Sequence, residues 1–376
     1  MIAPMRIGFL TSELGYDNGW AHYSLSLLRA MRRAGVELTI ITARNSPPHA
    51  DLEAHAVLPT VSPLERFTLP RLLMNYDRVA RLLRGCHVLH ATVELYAPLA
   101  WQAARGRPFV ITGHGSYVRL PQSRRWPMRG FYLRAFEDAA RVVCVSRYTE
   151  QVAQEVAPGV QTTVINNGVD AERFAHLPTL ASTIPARGAV ILSVGGVKAR
   201  KGTLELVEAL AVVRQTVPDA QCVILGSANA ADEYVQRVQA AVDRLGLRDC
   251  VHIMGFVDER TLLGWYGAAR IFALPSMNVG GKFEGFGLSH LQASAAGLPA
   301  IGTHDCGAAD AIDDGVTGLL VSQDNIAAEL PQAILALLRD PERAQRMGAA
   351  GRAKAQSQSW DHVAAQMIGI YQDVMV

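Results

Sequence analysis

Glu284-Gly285-Phe286-Gly287 is the stretch of this sequence best suited to chemistry. It follows an apolar run ending at Pro275 and precedes a helical pattern, with Leu288, Leu291, Ala295 and Ala296 at three- to four-residue spacing. Gly297-Leu298-Pro299 stops that helix, and Ala300-Ile301-Gly302 starts a strand. Gly285 and Gly287 let a ligand approach the backbone closely. The free N–H groups of the helix start, and its macrodipole, favour an anion there. Glu284 would repel a phosphate, so its carboxylate suits the neutral hydroxyls of a ligand instead. A second candidate is His114, between Gly113 and Gly115 after the apolar run 109–112. Parallel sheets place their chemistry at such strand ends.

The elements that must carry these residues follow from the order of apolar runs. A first strand over 5–11, a polar loop over 12–19, a helix over 20–34 and a second strand over 36–42 predict a doubly wound parallel α/β sheet. Residues 46–68 are Pro-rich and read as irregular, and 71–84 reads as one helix. Short strands are expected at 87–90, 109–112 and 141–146, with Thr163 to Asp170 running from a strand into an Asn-Gly turn. His90 reads as a core histidine. Residues 178–188 have linker composition, and the strand-helix rhythm restarts at 189. Residues 277–282 form an insert with room to be mobile.

A chain of 376 residues suits two domains. Its net charge of +2 is unevenly spread. Residues 1–185 hold 20 Arg and no Lys against 14 acids, giving +6, and the remainder carries −4. The two halves therefore present different surfaces. Five cysteines without metal-type spacing read as buried thiols in a reducing compartment. Neither a signal peptide nor an apolar run of membrane-spanning length is visible, so a cytoplasmic protein is expected.

EGFGL, a polar residue eight positions after its Glu, and the AxAxGxP pattern at 293–299 resemble the core signature of retaining glycosyltransferases of family 4, with the GT-B fold. The resemblance implies two Rossmann-like doubly wound domains facing a central cleft. Residues 1–184 would form the acceptor-side domain and 185–359 the nucleotide-sugar domain, with a last helix over 360–376 packing back onto the first. It implies transfer of a hexose from a UDP- or GDP-sugar to an acceptor hydroxyl, with retained configuration and no metal or other cofactor, in glycolipid or glycan synthesis.

The same resemblance implies residue roles. Family members carry two glutamates in this motif; here the first is Glu284 and the second position is Gln292. The amides of Gly285, Phe286, Gly287 and Leu288 would stabilise the leaving diphosphate. The family's Gly-Arg-Leu to Lys-Gly loop reads Gly195-Gly196-Val197 to Lys201-Gly202 here, so Gly196 replaces the arginine. Lys201 would then carry more of the diphosphate charge, helped by Lys198 or Arg200. His114 would contact the donor sugar near its reacting carbon, and backbone groups of Gly255, Phe256 and Val257 would hold the base. Gly19 would reach the donor phosphates through its amide, or else cap the following helix.

Arg119, Arg124, Arg125 and Arg129 interleave with Trp126 and further aromatics. Such a segment suits anionic lipid headgroups at a membrane surface, or an anionic acceptor, sugar or lipid-linked. No nucleic-acid-binding motif accompanies it. Gly196 and Gln292 leave open a rival reading, a sugar-nucleotide-binding subunit without turnover. An NAD-dependent dehydrogenase would need GxGxxG after the first strand, which is missing.

Overall fold

The computed structural model describes residues 5–16, 18–61, 68–180 and 188–376. They form two units. The first comprises the chain up to Gly168 together with Trp360–Val376, and the second is Val169–Ser359. The expected boundary at 184/185 lies outside the described residues. The chain changes unit earlier because Val169 donates its N–H to the Gln358 carbonyl, and Phe174 packs edge-on against Tyr266.

The first unit is built on strands β1 (Arg6–Leu10), β2 (Glu37–Ala43), β3 (Ala54–Leu58), β4 (Val88–Ala91), β5 (Phe109–Gly113), β6 (Arg141–Cys144) and β7 (Thr162–Val164). They form one parallel sheet in the order β3-β2-β1-β4-β5-β6-β7. The central strands β1, β4 and β5 are short, almost fully buried runs without alternation, as a sheet covered on both faces requires. Helices α1 (Gly19–Arg33), α2 (Thr68–Leu73), α3 (Tyr76–Leu82), α4 (Ala97–Ala104), α5 (Leu120–Ser123), α6 (Met128–Glu137) and α7 (Arg147–Val156) connect them. Two expectations need correction. Residues 46–68 are not wholly irregular, since β3 extends the sheet edge there and α2 begins at Thr68. The helix expected over 71–84 is two, broken at Met74-Asn75.

The second unit contains β8 (Val190–Val194), β9 (Gln221–Leu225), β10 (Val251–Gly255), β11 (Ile271–Ala273), β12 (Ala300–Thr303) and β13 (Gly318–Val321), parallel in the order β10-β9-β8-β11-β12-β13. Helices α8 (Thr203–Val213), α9 (Glu233–Arg244), α10 (Glu259–Ala268), α11 (Leu288–Ala295), α12 (Ala308–Ala311), α13 (Ile326–Leu338) and α14 (Pro341–Ser357) complete it. Helix α15 (Trp360–Met375) belongs to the first unit. It packs on α1, pairs Asp361 with Arg33 at 2.6 Å, and places the Tyr371 hydroxyl 2.6 Å from His90.

In each sheet the strand order reverses direction once, between β1 and β4 and between β8 and β11. Ligands of such sheets bind beyond the strand carboxyl ends at this switch. The loops at those places are the ones that follow β1, β4, β8 and β11.

Candidate active site

In the second unit the loops after β8 and β11 meet at a carboxylate. Glu284 Oε2 is bound by the Lys201 ammonium, by Arg200 Nη1 at 3.2 Å and by the Ser276 hydroxyl at 3.2 Å. All three of these contacts reach one oxygen, and among the described residues none of them reaches Oε1. Burial alone would push the Glu284 carboxyl up; Lys201 and Arg200 outweigh it and hold the group at about 2. Burial pulls the Lys201 ammonium down from its ordinary value, and Glu284 resists. Lys201 keeps only 12 % of its side chain in solvent and Arg200 31 %, so Arg200 is the freer of the two cations.

Local geometry explains how Lys201 arrives there. Gly202 turns the chain with φ 64°, and a Cβ on it would lie 1.8 Å from the Pro275 carbonyl. Only glycine permits this crossing of the β8 and β11 loops. Gly287 precedes α11 with φ 88°, and its missing side chain leaves room for the His290 ring beneath it. His290 donates from Nε2 to the Leu274 carbonyl at 3.1 Å, and burial lowers its pKa to about 4, so it stays neutral. The Gly307 N–H fixes the Glu284 carbonyl at 2.7 Å.

The other expected residues of the second unit lie on α11 and in the loops after β8 and β10. Gln292, on α11, receives a hydrogen bond from Tyr266 at 3.4 Å on its amide oxygen. Gly195 and Gly196 follow β8, with the Lys201 stem 3.5 Å from where a Gly195 Cβ would be. A Cβ at Gly196 would lie 2.6 Å from the Ser227 hydroxyl. Gly255 ends β10 at φ 70°, Phe256 is 77 % exposed, and Val257 lies beside it. The insert over 277–282 is a tight hairpin rather than an open loop: Val279 and Lys282 exchange backbone hydrogen bonds across Gly280-Gly281. Asn278 ties it to the Asp305 carbonyl at 2.7 Å.

The first unit holds His114 after β5. Its Nε2 lies 2.7 Å from the Thr92 carbonyl, which only accepts, so Nε2 carries the proton and Nδ1 is left as an acceptor. Burial lowers its pKa to about 4, against that hydrogen bond. Tyr23 backs the ring edge-on at 4.5 Å. His90 is a core group bonded to Tyr371 and Thr112, as its sequence context suggests. Gly19 is not the helix cap: Asn18 takes that place, its side chain accepting from the Ala21 N–H at 3.0 Å, and Gly19 is the first helical residue.

The basic-aromatic segment divides. Arg119 is paired with Glu155 at 3.4 Å, whereas Arg125, Trp126 and Arg129 are exposed and Arg124 is half-buried. Among the described residues no ion pair engages Arg124, Arg125 or Arg129. No helix is long and apolar enough to cross a membrane, and no cluster of three metal-type side chains occurs, both among the described residues. The five cysteines are buried free thiols.

Sequence reasoning placed Arg200 only as an optional helper and did not single out Ser276. Both partners of Glu284 sit far from it along the chain or inside an apolar strand end, where spacing carries no signal.

Residues 18–173 match the profile of Glycosyltransferase Family 4, and 181–354 that of Glycosyl transferases group 1. A GDP-mannose-dependent alpha-(1-6)-phosphatidylinositol monomannoside mannosyltransferase of Mycolicibacterium smegmatis is 32 % identical over 273 residues, 70 % of this chain and 69 % of that protein. This chain is a family 4 glycosyltransferase. Among solved structures, sucrose-phosphate synthase from Thermosynechococcus elongatus overlays with TM-score 0.80 at 24 % identity, covering 98 % of this chain and 99 % of that one. HepE of Anabaena, crystallised with UDP and glucose, gives 0.74 at 18 % identity over 98 % and 100 %. The glycosyltransferase thus has the two Rossmann-like sheets of the GT-B fold and uses a nucleotide sugar.

Proposed function

We propose that this glycosyltransferase moves a hexosyl group from a GDP- or UDP-sugar to a lipid-linked acceptor hydroxyl, with retained configuration and without a metal. The observation that carries the donor half is Glu284, whose Oε2 gathers Lys201 and Arg200 while Oε1 takes none of these bonds. Oε1 accepts sugar hydroxyls and fixes the donor's orientation. Lys201, Arg200 and the amides at the start of α11 take up the charge that builds on the leaving diphosphate. Arg200 supplies a cation in the loop where Gly196 has no side chain, which favours turnover over a binding-only subunit. Gly255, Phe256 and Val257 offer the base an exposed apolar face. His114 acts as a neutral hydrogen-bond acceptor toward a hydroxyl, since it holds no charge at pH 7.

The lipid-linked acceptor rests on Trp126, 85 % exposed beside Arg125 and Arg129, which pair with no carboxylate among the described residues, and on the phosphatidylinositol monomannoside in the mycobacterial relative's name. Two measurements test the proposal. GDP or UDP at hundredfold excess over Kd should stabilise the fold by about 2.7 kcal/mol in a thermal shift, and a sugar nucleotide should be turned over. If neither nucleotide raises Tm and none of their sugars is consumed, the proposal fails. Binding to vesicles with phosphatidylglycerol should fall with salt, because exposed charges are screened beyond about 8 Å at physiological ionic strength. Equal binding to neutral vesicles sinks the membrane arm.

A further inference from the structure

Glu94 is fully buried just beyond β4, at the strand-order switch of the first unit. Its Oε1 accepts the N–H of His114 at 2.6 Å, and the Gly115 N–H also lies against the carboxyl. Among the described residues neither N–H has a backbone acceptor. The segment needs such a hold. Gly115 sits at φ 148°, outside regular structure, between the end of β5 and the turn Ser116–Arg119. Two residues before Glu94, the Thr92 carbonyl receives the His114 ring proton at 2.7 Å. The backbone and the ring of His114 are thus both tied to residues 92–94.

We infer that Glu94 is a positioning residue: its carboxylate clamps the amides of His114 and Gly115 and so aims the His114 Nδ1. The consequence for catalysis rests on the glycosyl-transfer reading above; the clamp itself does not. A solvated surface role is excluded by burial, and among the described residues Glu94 makes no ion pair. The titratable neighbours are His114, Tyr96 on the same turn, Tyr132 of α6, Cys144 of β6 and Arg119, which pairs with Glu155. Burial pushes the Glu94 carboxyl up to about 7, against the pull of the backbone N–H groups. Its other oxygen, Oε2, has no partner among the described residues and is where the proton rests when the group is neutral. Ionisation strengthens the hold, since a charged acceptor makes the stronger hydrogen bond.

Two variants of the full chain separate reach from charge. Glu94→Asp keeps the charge and withdraws it by one methylene; Glu94→Gln keeps the reach and loses the charge. Folding is checked by the thermal transition of each. Amide exchange at His114 and Gly115 should quicken about tenfold in both, with amides of β1 and β2 unchanged. Unaltered exchange in the folded variants overturns the clamp. In the transfer assay Glu94→Asp should lose about ten- to a hundredfold in kcat, with donor KM within about twofold. Glu94→Gln should remove an ionisation near pH 7 from the kcat profile; a profile identical to the parent's overturns the link to catalysis. Faster exchange in a protein whose parent transfers no sugar upholds the clamp and counts against the proposed activity alone.

Discussion

Glu94 and Glu284 hold equivalent places in their own units. Each lies in the loop after the strand just past the switch in order, β4 beside β1 and β11 beside β8. Burial drives both carboxyls upward. Glu94 meets only backbone N–H groups and rises to about 7; Glu284 meets two cations and falls to about 2. The same residue type in the corresponding loop of each sheet is therefore a neutral-range acid in one unit and a fixed anion in the other. Neighbouring charge decides, because backbone dipoles offset burial only in part while a full positive charge within hydrogen-bond reach reverses it. The difference suits the roles proposed: one carboxylate organises cations and hydroxyls, the other organises a loop.

The largest break in this comparison comes from removing the cation that separates the two. Lys201→Ala should cost about 2–4 kcal/mol in kcat/KM, the range for one preorganised charge-stabilising donor. Arg200→Ala should cost less, and the exposed Lys198→Ala nearly nothing, in the same assay. A Lys198→Ala loss exceeding that of Lys201→Ala would contradict the contact seen at Glu284. Next, Glu284→Gln leaves two cations without their anion and should destabilise the fold by about 3 kcal/mol at pH 7 in denaturant titration.

The pH dependence of stability must differ in sign between the sites. Glu284 titrates below its ordinary value of 4.5, so its contribution is full above that pH and lost as pH falls toward about 2. Glu94 titrates above the same ordinary value, so its contribution is full below 4.5 and lost as pH rises toward about 7. Glu94→Gln should flatten the upper window by about 3 kcal/mol and leave the acid limb intact. The smallest effect is expected from adding a carboxylate where cations already stand. Gln292→Glu should change nucleotide affinity by about 1 kcal/mol or less. A large loss by calorimetry would mean that the second unit cannot accept another anion and that the site is less cationic than Lys201 and Arg200 make it.

The sheet strands, the Gly-rich loop and α11 are legible in the sequence because apolar runs and helix stops are local signals. Edge strand β3 is not, since its first three residues are largely exposed and Pro59 follows it. Lys201 and Glu284 can be read as residue types at motif positions, but that they meet cannot, because 83 residues separate them. Arg200 is hidden in the same way, behind a loop that looks like an exposed basic turn. Glu94 stands as a lone acid inside the apolar stretch from Val88 to Ala100, and that isolation is a signal in itself. Its reason, a loop 20 residues onward with two unclaimed N–H groups, appears only in three dimensions.

Helix α15 makes the first unit discontinuous, and this matters on the ribosome. Residues up to Gly168 emerge first, yet α1 and His90 are not covered until Trp360–Val376 have been made. At about 5–20 residues per second the whole second unit is translated in that interval, a wait on the order of ten seconds or more. During it the part of α1 that α15 covers stays open to water, so nascent chains should engage a chaperone over this span. The second unit, contiguous in sequence, can close before the one that precedes it.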